Sequence, residues 1–411
     1  MENSFLSEFK KRDYFNQCTN SDELEKLMNQ KKIRAYIGFD CTAPSLHVGS
    51  LLQIMCLRLL QKHGHQPIVL LGGGTTRIGD PSGKEETRKI LSEKEIEKNI
   101  KNIEKIFKIF LKTKNPKTKP IFINNYKWLG KLNYIKFLRE IGKHFTINKM
   151  LSFDSVKLRL EREQSLSYME FNYMILQAYD FLELNKTKNC LMQIGGSDQW
   201  GNIVNGVELI KRYSSKQVFG LTTPLITLSS GSKMGKTEKG AIWLDKKILS
   251  SYDYWQFWRN TDDRDVIRFL QMFTDLKIDK IDKIKDQNIN QLKILLASEA
   301  TTMLHGKTAA QKAELTAKNT FEKKSIGEDL PSVKIKKNEV INGINIIDLV
   351  ISSNLLSSKS EVRRMIKNKG IKINNEPVEN EKYRVSLNNF NKDNFLKLSL
   401  GKKNHVIFKI I

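Results

Sequence analysis

Residues Asp40 to Ser50 carry side chains suited to binding phosphate. The segment lies where a predicted strand ends and a predicted helix begins, and a helix N-terminus offers unpaired N–H groups and a positive dipole. Thr42 and His47 could donate hydrogen bonds to a triphosphate, and Gly49 would let a flat ring approach the backbone. Taken alone, a histidine at a helix start more often has a structural role.

A second segment, Ser229 to Thr237, places Lys233 and Lys236 on either side of a Met-Gly pair in a loop rich in Ser and Gly. Phosphoryl and nucleotidyl transfer depend mostly on positioning and on stabilising negative charge, so two mobile lysines would suit that chemistry. A solvated surface loop is the alternative interpretation.

A third segment, Gly72 to Lys84, contains glycines after a predicted strand but does not fit a P-loop. The spacing from Gly79 to Gly83 is too short, and Glu85 stands where a Ser or Thr would bind magnesium. The turn still permits a ligand to approach the backbone closely.

Polar residues also recur along one predicted helix. Ser167 and Glu170 form a capping box that starts this helix. Tyr173, Gln177 and Asp180 then fall at i, i+4 and i+7, on one face. A hydroxyl, an amide and a carboxylate in a row are unsuited to a core, so this face lines either a polar site or solvent.

Strands and helices alternate in the first half of the chain. Strands are predicted at Ala35–Phe39, Pro67–Leu71 and Pro120–Ile123, with helices over Val48–His63 and from Ser92 onward. This alternation favours an α/β fold, a doubly wound parallel sheet covered by helices. Ligands of such sheets bind beyond the carboxyl ends of the strands.

Helical periodicity replaces the strands between Ser251 and Phe321, and a small basic α+β region closes the chain. There a helix is predicted to start at serines 357 and 358 and to end at Gly370 as its C-cap. Ile371–Ile373 follows as a strand, with Asn374 and Asn375 as a turn.

The net charge of +25 would attract polyanions such as nucleic acid, although the many Lys, Asn and Ile residues are also what A+T-rich coding produces. The four cysteines are scattered and predict no zinc site or redox pair. No signal peptide and no membrane span are predicted, and a cytoplasmic protein is expected.

The phosphate-binding segments resemble the HIGH and KMSKS signatures of class I aminoacyl-tRNA synthetases, at 41–50 and 233–237. More specifically, the chain resembles the tyrosyl enzymes of bacteria and organelles. The stretches that carry this resemblance are Tyr36–Asp40, Ile78–Lys84, Tyr173–Asp180 and Gln193–Asn202. Two positions depart from the signatures, since Ser50 replaces the second His and Gly235 replaces the first Ser.

The resemblance implies a role for each matching residue. For tyrosine, Tyr36 and Asp180 would bind the phenol. The α-amino group would be bound by Asp80, Tyr173 and Gln177. Gln199 would contact the carboxylate, and Gln193 would support the pocket from behind these residues. For ATP, the implied residues are Gly38, Asp40, His47, Gly49, Ser50, Gly196, Asp198 and Lys236. The triphosphate would meet Thr42, His47, Lys84, Arg88, Lys233, Lys236 and Thr237. The C-terminal RNA-binding candidates are Arg363, Arg364, Lys367 and Lys369.

The domains expected from this resemblance are a Rossmann-type catalytic domain at 1–250, a helical tRNA-binding domain at 251–325, a linker at 326–344 and an RNA-binding domain at 345–411. The implied ligands are L-tyrosine, ATP with Mg²⁺ and tRNA(Tyr), in a homodimer without a structural metal. Two rival functions stay open: a tryptophanyl-type synthetase, and a non-catalytic RNA-binding protein on a synthetase scaffold.

Overall fold

The computed structural model describes residues 4–81, 91–231, 234–237, 240–321, 331–391, 394–401 and 404–411. The chain forms two compact units, one of Met1–Leu249 with Phe257–His305 and the other of Ser250–Gln256 with Gly306–Ile411. No helix in the described ranges combines the length and apolarity that crossing a membrane requires.

The first unit is built on a six-stranded sheet, with helices on its faces. The strands of this unit are β1 (Gln17–Cys18), β2 (Arg34–Phe39), β3 (Gln66–Leu71), β4 (Ile121–Asn124), β5 (Cys190–Gly196), β6 (Phe219–Thr223), β7 (Lys236–Thr237) and β8 (Gly240–Ala241). Its helices up to residue 214 are α1 (Phe5–Lys11), α2 (Ser21–Gln30), α3 (Leu51–Lys62), α4 (Glu93–Phe110), α5 (Tyr126–Leu129), α6 (Tyr134–Glu140), α7 (Ile147–Leu151), α8 (Asp154–Glu161), α9 (Tyr168–Lys188) and α10 (Trp200–Ser214).

The order of the large sheet is β1-β6-β5-β2-β3-β4. All neighbouring strands pair in parallel except β1, which runs antiparallel to β6 at the edge. The chain winds from β2 outward to β4, then returns to the other side of β2 for β5 and β6, so the connectivity reverses between β2 and β5. This confirms the predicted doubly wound α/β fold.

The long helix α9 covers the middle of this sheet. Ser167 and Glu170 form the predicted capping box at its start, and Asn189 ends it in the left-handed conformation with φ 49°. Buried apolar side chains of α9 pack on β2 and β3, and the ring centroid of Phe181 lies 5.3 Å from that of Tyr36. The polar face of α9 is thereby oriented toward the ends of the strands.

Residues 257–305 belong to the first unit, whereas the sequence predicted a separate helical domain at 251–325. The helices between residues 251 and 305 are α11 (Ser251–Arg259), α12 (Val266–Phe273), α13 (Ile278–Ile284) and α14 (Ile289–His305), and the boundary between the two units falls within α11, after Gln256. The buried Arg12 guanidinium donates to three backbone carbonyls within Gln271–Leu276, and the Tyr14 hydroxyl donates to that of Met272 at 2.6 Å. These bonds join the N-terminal segment to the end of α12, which explains the larger unit.

The second unit has its own sheet and core. Its helices are α15 (Lys307–Phe321), α16 (Lys337–Ile341), α17 (Ile346–Ser352) and α18 (Lys359–Lys367). Its strands are β9 (Ser332–Ile335), β10 (Ile344–Asn345), β11 (Ile371–Ile373), β12 (Glu376–Pro377), β13 (Arg384–Val385), β14 (Phe395–Leu400) and β15 (Asn404–Ile410). The main sheet has the order β12-β11-β14-β15-β9.

Two local predictions for this unit need correction. The predicted linker at 326–344 contains β9 and α16, because β9 pairs in parallel with β15 as an edge strand of the main sheet. The left-handed residue after α18 is Lys369, with φ 55°, and Gly370 instead donates its N–H to the Met365 carbonyl in a Schellman closure. The turn at Asn374 and Asn375 is confirmed, both residues having positive φ.

Candidate active site

A cavity of about 310 Å³ lies at the carboxyl ends of β2 and β5, where the winding of the sheet reverses. This is the expected ligand position in an open α/β sheet. Many of the residues singled out from the sequence line it: Tyr36, Gly38, Asp40, Gly49, Ser50, Asp80, Tyr173, Gln177, Asp180, Gln193, Gly196, Asp198 and Gln199.

The deep end of the cavity holds a phenol and a carboxyl group. Tyr36 on β2 is fully buried, and its hydroxyl has no hydrogen-bond partner among the described residues. Asp180 on α9 accepts hydrogen bonds from Asn125 Nδ2 at 2.9 Å and from Trp128 Nε1 at 2.7 Å. Burial raises the pKa of Asp180 to about 7, although these two donors act in the opposite direction.

Asn125 was not anticipated from the sequence, yet it connects several parts of the site. It follows β4 directly, and its Nδ2 also lies 3.1 Å from Thr75 Oγ1, while its Oδ1 accepts the Gly74 N–H at 2.7 Å. The position of two asparagines just after a buried strand, at the carboxyl edge of a parallel sheet, was the available signal.

Asp40 closes this hydrogen-bond chain at the end of β2. Its Oδ1 accepts from the Thr75 hydroxyl at 2.7 Å, and its Oδ2 accepts from the Tyr173 hydroxyl at 3.1 Å. Protein groups therefore hold both carboxylate oxygens in place. A continuous series of hydrogen bonds thus runs from Asp180 at the deep end to Tyr173 beside the cavity wall.

Amide side chains fill the opposite wall. Gln199 donates from Nε2 to Asp80 at 2.9 Å. Asn202, a second residue that sequence reasoning missed, donates from Nδ2 to the Oε1 atoms of Gln199 and Gln177 at 3.1 and 3.2 Å. These bonds fix which end of each glutamine carries its oxygen, so the wall presents defined donors and acceptors.

The open end of the cavity includes apolar side chains beside polar ones. Gly196 and the exposed Asp198 lie on one side, and Leu225 and Ile226 form a wall that was not predicted. Gln53 also lines the cavity, and its Nε2 donates to Thr223 Oγ1 at 2.7 Å. A planar ring with a polar rim matches this combination.

The first signature segment lies beside the cavity rather than wholly in it. Gly49 and Ser50 line the cavity, whereas Thr42 and His47 do not. The helix predicted from Val48 starts with a short 3₁₀ turn, and the α-helix begins at Leu51. His47 caps this turn, its Nδ1 accepting the Gly49 N–H at 3.0 Å.

The second signature segment packs directly on the first. Gly235 has φ +92°, and a Cβ atom built on it would lie 2.6 Å from the Gly49 backbone nitrogen. The sequence departure at Gly235 therefore has a steric reason. The backbone of Lys236 and Thr237 forms β7, paired with β8. The candidates Lys84, Arg88 and Lys233 lie outside the described residues.

Comparison with known proteins identifies the family. Residues 28–322 match the family model for tRNA synthetases class I (W and Y), and residues 322–408 match the Tyrosine--tRNA ligase SYY-like C-terminal domain. A tyrosine–tRNA ligase of Pelagibacter ubique is 70% identical over 409 residues, covering 100% of both chains. The chain belongs to the tyrosine–tRNA ligases. This membership decides against both rival functions, the tryptophanyl enzyme and the non-catalytic scaffold.

Other tyrosine–tRNA ligases give the same result. The enzyme of Wolbachia pipientis is 52% identical over 409 residues, covering 98% of this chain and 97% of its own. A truncated mitochondrial tyrosyl-tRNA synthetase of Aspergillus nidulans superposes with a TM-score of 0.71 at 31% identity, covering 78% of this chain and 94% of its own. The Archaeoglobus fulgidus synthetase, at 16% identity and TM-score 0.56, shares the fold.

We predict that Gly235→Ser, which restores the common signature residue, will lower tyrosine-dependent pyrophosphate–ATP exchange at least tenfold. The side chain would strain a positive φ and collide with the backbone of the first signature. Gly231→Ala is the matched control, because Gly231 has φ +82° but a Cβ atom added there would meet nothing within 4 Å. Equal activity in the two variants would contradict the packing argument.

We also predict that Asp180 makes the unliganded protein progressively less stable as pH rises from about 4 to 7, when the protein is compared with an Asp180→Asn variant. Asp180 keeps its proton in the folded state up to a pKa of about 7, against an ordinary aspartate pKa of 3.8, so its contribution is fully present below pH 4. The loss approaches about 4 kcal/mol in the free energy of unfolding. Urea unfolding of both proteins measures this loss as a difference between their profiles, because burial also lowers the pKa of His65 and His305 to about 4, which acts in the opposite direction in both proteins. A difference that stays constant between pH 4 and 7 would contradict the assignment.

Proposed function

We propose that this cavity is where the chain activates L-tyrosine with ATP, before transferring it to tRNA(Tyr) in the cytoplasm. The observation that carries the proposal is the pair at the deep end, a buried Tyr36 hydroxyl and a buried Asp180 carboxyl group. Both would be costly to bury beside an apolar ring, and both are satisfied by a ligand with a phenolic hydroxyl.

In this proposal the tyrosine side chain enters first. Its hydroxyl accepts from Tyr36 and donates to Asp180, and its α-ammonium group meets Asp80, Tyr173 and Gln177. Gln199 contacts the carboxylate, held by its bond to Asp80, and the buried Gln193 supports the wall. The carboxylates of Asp40 and Asp80 favour a cation at this depth in the cavity.

ATP occupies the open end. Its adenine lies against Gly49, Leu225 and Ile226, and its ribose meets Gly196 and Asp198. The remaining nucleotide contacts assigned to this end are Gly38, Asp40 and Ser50. The triphosphate extends toward the two signature segments, where the proposed contacts are Thr42, His47, Lys84, Arg88, Lys233, Lys236 and Thr237.

The reaction then needs no covalent enzyme intermediate. The tyrosine carboxylate attacks the α-phosphorus in line and pyrophosphate leaves, so alignment and charge stabilisation supply the rate. We propose that Mg²⁺ arrives with the phosphates and offsets their charge. In the described ranges no group of three or more His, Cys, Asp and Glu side chains is placed to hold a metal. The terminal ribose of tRNA attacks the resulting adenylate.

For tRNA we propose contacts from α18 and the residues just after it, whose basic side chains are all exposed. Two of the four candidates already have acidic neighbours, Arg363 at 3.4 Å from Glu381 and Lys369 at 2.7 Å from Glu379. Arg364 and Lys367 are therefore the stronger phosphate contacts. The slope of log affinity against log salt concentration counts the phosphates engaged and measures this directly.

We further propose a homodimer formed through residues 126–168. Large apolar side chains are exposed along this stretch: Tyr126, Tyr134, Ile135, Leu138, Ile147, Leu151, Leu158, Leu160 and Tyr168. A patch of this kind marks an interaction surface. Ile135→Glu should shift the protein to monomers in analytical ultracentrifugation, whereas Ile341→Glu, the same change at another exposed isoleucine, should not.

We predict that Tyr36→Phe will lower kcat/KM for tyrosine roughly tenfold while leaving that for phenylalanine unchanged, because only tyrosine loses a hydrogen bond. Pyrophosphate–ATP exchange with each amino acid measures both values. Stability should not fall, since the Tyr36 hydroxyl has no partner in the described part of the chain.

Tyr14→Phe is the matched control for this change. The Tyr14 hydroxyl is also buried but donates to the Met272 carbonyl at 2.6 Å, away from the cavity. This variant should lose about 1–3 kcal/mol of stability with its amino-acid selectivity unchanged. An unaltered tyrosine-to-phenylalanine ratio in Tyr36→Phe would contradict the proposed phenol site.

A further inference from the structure

The His47 imidazole lies against Gly49 of its own segment and against two other parts of the chain, at Gly235 and Trp243. A Cβ atom on Gly49 would lie 2.8 Å from its Nδ1, and one on Gly235 would lie 3.0 Å from the same atom. Trp243 lies on another side, with ring centroids 6.2 Å apart and an interplanar angle of 72°. Both signature segments and Trp243 therefore restrict how this ring can turn.

Trp243 belongs to a short backbone pairing between residues 242–244 and 46–48. The Val48 N–H donates to the Ile242 carbonyl and the Leu244 N–H donates to the Leu46 carbonyl, each at 2.9 Å. His47 and Trp243 are directly opposite each other in this antiparallel pairing. Side chains of directly opposed residues lie on the same face, so the indole is placed against the imidazole by the backbone itself.

The hydrogen bond at Nδ1 settles which nitrogen of His47 carries the proton. Nδ1 accepts the Gly49 N–H, so the neutral ring has its hydrogen on Nε2. Nε2 is then a donor, as binding a phosphate oxygen requires. Because the Gly49 N–H holds Nδ1, the imidazole could redirect this donor only by rotating, and the Trp243 ring beside it restricts that rotation.

We propose that Trp243 is a positioning residue for tyrosine activation, holding the His47 ring so that its Nε2–H is directed at the phosphates of ATP. The inference rests on the proposed role of His47. The neighbouring Leu244 is fully buried and already supplies apolar packing in this pairing. Space filling alone therefore does not account for a tryptophan that faces an imidazole. The pairing also connects Trp243 to the first signature segment through backbone hydrogen bonds.

The test replaces Trp243 by Leu and by Phe in the full-length enzyme. Trp243→Leu should lower kcat of pyrophosphate–ATP exchange roughly 10- to 100-fold, because small misplacements of a positioned group cost that much. The dissociation constant for tyrosine, measured without ATP, should change less than about twofold, since Trp243 does not line the cavity. Trp243→Phe, which keeps an aromatic edge, should recover most of the rate.

A double-mutant cycle with His47→Ala separates the two assignments. If His47→Ala lowers exchange and Trp243→Leu adds almost nothing in that background, Trp243 acts through His47 as proposed. If the two losses multiply, or Trp243→Leu alone has no effect, the inference is wrong while the role of His47 stands. If His47→Ala leaves exchange unchanged, the proposed phosphate contact fails first. Equal urea midpoints for Trp243→Leu and Trp243→Phe show that folding does not cause the difference.

Discussion

Strand β2 is hydrogen-bonded in parallel to β3 on one side and to β5 on the other, and the active site depends on this double pairing. The chain leaves β2 toward β3 and later returns on the opposite side of β2 to form β5. The connections that follow β2 and β5 therefore run in opposite directions, which leaves a crevice at the carboxyl ends of these two strands. Tyr36 lies within β2, and Asp40 follows its end. One strand therefore supplies both the deep end and the rim of the cavity.

Burial of polar groups in this crevice explains much of its chemistry. Asp180 lies at the end of a series of hydrogen bonds through Asn125, Thr75 and Asp40, so its carboxyl group has a fixed orientation but little compensating charge. An arrangement of this kind is costly in the unliganded protein and favourable once a suitable hydroxyl arrives. The selectivity for a ligand with a phenolic hydroxyl and the reduced stability of the unliganded protein then have the same physical origin.

The sequence was informative where side chains follow a local period or a cap. The capping box at Ser167 set the phase of α9, and this phase correctly placed Tyr173, Gln177 and Asp180 on one face; the structure adds that this face lines the cavity. Asn125 was missed although its position after β4 was a signal, because its bonds to Thr75 and Asp180 depend on which segments become neighbours. Asn202 was missed because its bond to Gln177 depends on the packing of α10 beside α9, which no local pattern encodes. Gly235 could be recognised as a departure, but its reason, contact with Gly49, requires two segments far apart in sequence.

Strand β9 shows that a contact between residues far apart in sequence can place a domain boundary elsewhere than the local sequence pattern predicts. It lies near the start of the second unit, whereas its partner β15 closes the chain, and it covers the outer side of β15 by parallel pairing. A fragment beginning at residue 345 would leave β15 as an open edge, with the backbone N–H and C=O groups that face β9 along Ile407 to Ile410 unpaired. Open edges recruit other chains into their sheets, so such a fragment would be prone to self-association although α17, α18 and most of the core residues are retained.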